Sequence, residues 1–101
     1  MSSEDYAREK LGMAIRALAT GTKSLQDRLA DAYLCFHTLQ PRDFSREDDA
    51  ELYREIRRAL TSVKSGPEEN GYVRNTLAQM GDQQAREVAE NIVALNDRLD
   101  G

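Results

Sequence analysis

The chain has 101 residues, with 18 acidic against 14 basic side chains, a net charge of −4, 40% hydrophobic residues and 32% charged residues. A length of this order holds one ordinary domain. An acidic balance excludes the broad basic surface from which most nucleic-acid binders draw their affinity.

The first helix is expected to begin after Ser2 or Ser3, with Glu4 and Asp5 in a first turn where carboxylates suit the positive end of the helix dipole. Tyr6, Leu11, Ala14, Ile15 and Leu18 recur at three- and four-residue steps and predict its apolar face. Gly21 is expected to end the helix through the left-handed geometry that glycine tolerates.

Ser24 reads as the next N-cap, with Asp27 three residues on in an aspartate version of the capping box. Leu25, Leu29, Ala32, Tyr33, Phe36 and Leu39 form a broad apolar face that Leu34 and Cys35 widen. A helix apolar on most of its circumference is one that neighbours bury from several sides, so this helix is the expected centre of the fold. Pro41 closes it, because the residue before proline is pushed out of the helical region.

Ser45 is expected to cap the third helix, with Asp48 at the third helical position and Phe44 folding back as a plug. Leu52, Tyr53, Ile56, Leu60 and Val63 mark its apolar face. Glu47, Asp48, Asp49 and Glu51 come early and Arg54, Arg57, Arg58 and Lys64 late, an order that complements the helix dipole.

The segment 65–71, SGPEENG, combines Gly, Pro and Asn-Gly and reads as a flexible solvated connection. Val73, Leu77 and Met80 then predict a short helix near residues 72–80. After Gly81 and Asp82, the residues Ala85, Val88, Ala89, Ile92, Leu95 and Leu99 form the stripe of a last long helix. No strand is expected. The fold class is all-α: one domain, 1–101, built as a small antiparallel bundle of four long helices plus the short one. Leu, Ile, Val and Phe together number only 20, close to the composition at which disorder competes. The expected core is therefore modest, built on Leu and Ala with tyrosines at its edges.

Chemistry-bearing patterns are sparse. The single cysteine, Cys35, rules out an intramolecular disulfide. It stands two residues from the single histidine, His37, and on a helix such residues point away from each other. A zinc site needs three or four ligands, and no further Cys or His supplies them. Asp27 with Asp31, and Glu51 with Glu55, fall on polar faces and lack the Glu-x-x-His pairs of di-metal bundles. No nucleophile elbow or phosphate loop is present. No catalytic residue, metal or cofactor is expected, and the chain reads as a non-enzyme.

What remains are interaction residues. Arg54, Arg57 and Arg58 lie on neighbouring positions of one helix, with Arg42 and Arg46 upstream, although Glu47, Glu51 and Glu55 interleave. Tyr72, beside the 65–71 connection, has the weakest claim to the core among the four tyrosines and so the best claim to a surface. The leading expectation is a helical module acting by protein–protein contact, with an unidentified protein or a second copy of itself as partner. The alternative is a small regulator contacting nucleic acid or an anionic ligand through the Arg42–Arg58 surface, and a third reading is an apolar ligand held inside the bundle. Met1–Lys10 is polar and lacks the apolar run of a secretory leader. No stretch reaches the roughly 18 apolar residues of a membrane span, so a soluble cytoplasmic protein is expected.

Overall fold

In the computed structural model the described residues are 3–63 and 69–100, with the side chains of residues 69 and 70 left aside. They form five α-helices in the order α1 (Ser3–Thr20), α2 (Leu25–Phe36), α3 (Glu47–Leu60), α4 (Glu69–Gln79) and α5 (Asp82–Asp100), with one 3-10 turn, Pro41–Asp43, between α2 and α3. The fold is all-α, and no strand occurs among the described residues. None of these helices is long and apolar enough to cross a membrane.

Helix α1 buries Ala7, Leu11, Ala14 and Leu18. This is one helical phase, at steps of four, three and four, and it displaces the expected Tyr6 from the stripe. Tyr6 lies outside, its hydroxyl 2.8 Å from Thr38 Oγ1 and Lys10 Nζ over its ring at 5.3 Å. Helix α1 does stop at Thr20, but Gly21 does not adopt the left-handed conformation. Its requirement is space. A Cβ there would meet Arg28 Cγ at 2.7 Å and Cδ at 2.8 Å. The stem of Arg28 crosses here because its guanidinium donates to Leu18 O at 2.7 Å and to Lys23 O at 3.1 Å. Arg28 thereby satisfies one of the carbonyls that the end of a helix leaves open.

Ser24 caps α2 as its sequence predicts, its hydroxyl accepting from Asp27 N at 3.1 Å. The helix ends at Phe36, before Pro41. Gln40 is extended ahead of the proline, whose fixed φ starts the 3-10 turn. Gln40 N donates to Asp43 Oδ2 at 2.8 Å and closes that turn. Leu39 and Phe44 on either side of it are both buried. Ser45 is not the cap of α3. Arg46 occupies that position with no side-chain cap bond, while Ser45 Oγ donates to Glu4 Oε2 and ties the loop to α1.

Helix α3 buries Asp49, Ala50, Tyr53, Ile56 and Leu60; Leu52 and Val63 are only half-buried. Tyr33 and Tyr53 are not edge residues, being 2% and 0% exposed. They belong to an aromatic chain through the core. Tyr33 meets Phe36 edge-on at 5.9 Å, Phe36 meets Tyr53 edge-on at 6.1 Å, and Phe44 lies at 5.1 Å from Tyr53. Such pairs add to the burial of the rings themselves. The Tyr53 hydroxyl is not wet: it donates to Leu39 O at 2.7 Å and accepts from Arg57 Nη1 at 2.8 Å.

Helix α4 begins at Glu69, three residues before the segment 72–80 in which a short helix is expected, so Glu69, Asn70 and Gly71 belong to a helix and not to a flexible connection. Residues 65–68 of that expected connection lie outside the described residues. Val73, Thr76, Leu77 and Met80 are buried, and Thr76 Oγ1 accepts from Val63 N at 2.9 Å. Helix α5 buries its whole predicted stripe apart from Ala89, which is half-buried.

The buried apolar side chains form one cluster drawn from all five helices. Helix α2 packs chiefly on α1 and also on α4 and α5, whereas α5 packs on α1, α2 and α3. The centre expected of α2 is thus shared with α5. Helix α3 rests mainly on α5 and reaches α2 through the aromatic chain. The end of α5 is held by Arg8, whose Nε and Nη2 donate to Leu99 O at 3.2 and 3.1 Å.

Candidate interaction surface

The arginines of α3 separate into three environments. Arg54 Nη1 lies 2.8 Å from Glu47 Oε1 and 3.0 Å from Glu51 Oε2, at the outer face of the helix. Those two carboxylates hold its guanidinium above the ordinary arginine range, the Glu47 bond being the larger cause. Arg57 turns inward, donating through Nη1 to His37 O at 2.8 Å as well as to the Tyr53 hydroxyl. It serves the end of α2, and His37 is the C-cap of that helix with its ring 5.6 Å from Tyr33. Arg58 is exposed, as are Arg42 and Arg46. The three arginines that share one helix therefore do not converge on one outward-facing site.

Cys35 is a half-buried free thiol. Burial pushes its pKa up, and Asp31 adds to the effect. A thiol shifted in this direction has less of the nucleophilic thiolate at neutral pH. Among the described residues no three Cys, His, Asp or Glu side chains are placed to hold a metal ion.

The surface feature that sequence spacing does not reveal is a groove of about 640 Å³ between α2 and α4. One wall carries Gln26, Asp27, Ala30, Tyr33 and Leu34, which recur at three- and four-residue steps along α2. The other carries Val73, Arg74, Leu77 and Ala78 of α4, and Met80 lies beyond its end. Leu34 is 58% exposed, the most exposed of the large apolar side chains among the described residues. It points here because α2 uses Leu29, Ala32, Tyr33 and Phe36 to face the core, and Leu34 falls beside that stripe rather than within it. Gln26 pins the end of the groove, its Nε2 donating to Met80 O at 3.1 Å and to Asp82 Oδ1 at 2.9 Å. Tyr72 is half-buried on α4 and does not line the groove.

The rim of the groove is charged and its floor is apolar. Asp27 is exposed on the α2 side and Arg74 on the α4 side. Beyond the rim, Lys23 Nζ is held by Asp31 Oδ2 at 2.9 Å, which raises the lysine pKa. Every buried side-chain nitrogen and oxygen among the described residues has a hydrogen-bond partner. No protein-family model matches the chain, and neither a curated protein nor a solved structure matches it.

Proposed function

We propose that the chain is a non-catalytic helical module that works by protein–protein contact, with the α2–α4 groove as its contact face. The observation that carries this reading is Leu34, 58% exposed on the wall of an open apolar groove. Contiguous exposed apolar surface rimmed by polar residues marks contact sites, and Leu34 with the apolar lining beside it makes a small patch of that kind. The floor supplies apolar area, and the Asp27 and Arg74 rim supplies orientation.

Two features favour a protein over a small ligand. A volume near 640 Å³ is within the range of small-molecule sites. Such sites, however, fix their ligand with polar groups converging from the walls. Here the buried polar atoms already have partners, and the charged groups stand at the rim.

The reading through the Arg42–Arg58 surface is weaker on the same grounds. Arg54 is engaged by two glutamates and Arg57 by main-chain carbonyls. An anionic ligand would have to displace those partners to use either group.

Affinity capture with the native chain and with Leu34→Lys tests the proposal. The expected result is a protein, a second copy included, that associates with the native chain, re-forms the complex when purified, and is lost with Leu34→Lys. Association indifferent to Leu34, or no association at all, overturns it.

A further inference from the structure

We infer that α4 is a clamped flap: it opens from the fold as one unit while α1, α2, α3 and α5 stay assembled, and Gln26 is the clamp on its hinge. The first support is the order of packing. Helices α1, α2 and α5 pack on one another, and α3 packs on α5. None of those seats passes through α4, whose own main seats are on α2 and, to a smaller extent, on α3. Taking α4 away therefore leaves the rest of the bundle joined as before. The share of the core that α4 holds is also small: Val73, Thr76 and Leu77, with Met80 just past its end. An element with few buried contacts opens at a lower free energy than the whole chain unfolds, and it does so as a cooperative unit.

The second support is the junction. Met80 and Gly81 stand outside helical structure between α4 and α5. Met80 N donates to Leu77 O at 3.2 Å, and Ala85 N to Gly81 O at 3.0 Å opens the ladder of α5. Hinges are a few residues of this kind at the ends of elements, where a change of backbone angle is absorbed. Gln26 Nε2 reaches across the junction from α2, donating to Met80 O at 3.1 Å on one side of Gly81 and to Asp82 Oδ1 at 2.9 Å on the other. Rotation at Met80–Gly81 moves those two acceptors relative to each other, so one amide group holds both only in the docked arrangement. Opening also breaks the bond from Val63 N to Thr76 Oγ1. It uncovers Ala30 and Tyr33, which line the groove from α2, and joins them to the exposed Leu34 in a wider apolar face. None of this depends on a partner entering the groove, so the chain alone tests it.

Hydrogen exchange of the whole chain, followed amide by amide in urea below the unfolding transition, distinguishes partial from global opening. The hydrogen-bonded amides of α4 are expected to exchange through one shared opening, about tenfold or more faster than the slowest amides of α2 and α5. Their rates should depend less steeply on urea, because the opening exposes less surface. Two variants separate a flap from general looseness. Arg98→Ala breaks the contact with Asp49 between α5 and α3, which persists when α4 opens. It is expected to speed the slowest α5 amides by about fivefold or more and to leave the α4 amides within about twofold of native. Gln26→Ala removes bonds that only the docked arrangement makes, and is expected to speed the α4 amides by about two- to tenfold. Equal responses of α4 and α5 to Arg98→Ala would mean that α4 opens only with the whole chain, which overturns the inference. So would α4 amides that exchange one by one from a helix end, or rates in α4 that Gln26→Ala leaves unchanged. The contact-face reading is untouched by any of these results, since the capture experiment with Leu34→Lys tests it separately.

Discussion

Arg98 Nε lies 2.6 Å from Asp49 Oδ1, a contact between an arginine side chain 43% exposed on α5 and an aspartate side chain 2% exposed on α3. The two are 49 residues apart, and their bond is part of what fixes α3 against α5. Asp49 also occupies the first turn of its helix, where a negative charge is favoured. Removing Arg98 leaves a buried carboxylate with its principal partner gone. Arg98→Ala is expected to lower unfolding free energy by about 1–3 kcal/mol, short of the full cost of an orphaned buried charge because water reaches the arginine side. Arg86→Ala, which breaks the exposed Arg86–Glu90 pair on the same helix, is expected to change it by about 0–1 kcal/mol. Urea denaturation of the two variants makes the comparison.

Gly21 and Arg28 form a second coupled pair. Gly21→Ala is expected to destabilise because its Cβ collides with the Arg28 stem, and Arg28→Ala because two carbonyls lose a charged donor, about 1–3 kcal/mol for the latter. In the double variant the collision with Arg28 is gone, and only the longer 3.0 Å approach to Ala17 O remains. The combined loss is therefore smaller than the sum of the two single losses, by an interaction energy of about 0.5 kcal/mol or more. Strict additivity in a denaturation cycle would show that Arg28 does not occupy this space.

Tyr53→Phe keeps the ring in the aromatic chain and deletes only the hydroxyl. Leu39 O then loses its nearer donor, keeping only Arg57 Nη1 at 3.5 Å, and Arg57 loses one acceptor, an expected loss of about 1–2 kcal/mol. Tyr6→Phe deletes a hydroxyl at the surface, bonded to Thr38, and is expected to cost less than about 0.5 kcal/mol. Thermal melts that rank the pair the other way would remove Tyr53 from its place as the polar link between α2 and α3.

Cys35 gives the pH-dependent prediction. Its folded pKa is raised, first by burial and then by Asp31, so the thiolate fraction at pH 7 is below that of an unfolded thiol. Alkylation by iodoacetamide is expected to be slower in the native chain than in the urea-unfolded chain. Its rate should reach half of its maximum at a pH above the roughly 8.5 midpoint of an ordinary thiol. Asp31→Asn is expected to bring the midpoint down only in part, since burial is the larger cause. A native rate equal to the unfolded one would contradict the shift.

The helical class was legible because the apolar residues of α2 and α5 keep strict helical phase, and Ser24 is a capping residue in a capping position. What escaped was decided by phase at single positions. Asp49 reads as one more acid in the run Glu47–Asp48–Asp49, yet it is four residues before Tyr53 and seven before Ile56, in step with the buried face. Ala7 likewise is in step with Leu11, Ala14 and Leu18, while the larger Tyr6 draws attention and is not. Arg57 follows Tyr53 by one turn, which brings its guanidinium to the Tyr53 hydroxyl and the end of α2, away from Arg54. The groove was not legible. Leu34 visibly broadens the apolar face of α2, but spacing within one helix does not say which neighbour leaves it uncovered.

Helix α4 packs on α2, with a smaller seat on α3, whereas α5 is gripped by three other helices. Amide exchange is governed by local opening, and elements with fewer packed neighbours open at lower free energy. The amides of α4 are thus expected to exchange before those of α2 and α5. One wall of the groove is made by this helix and the other by the firmly packed α2. An occupant that packs on both walls is accordingly expected to slow exchange of the α4 amides more than those of α2, because it adds a neighbour to the helix that has fewer.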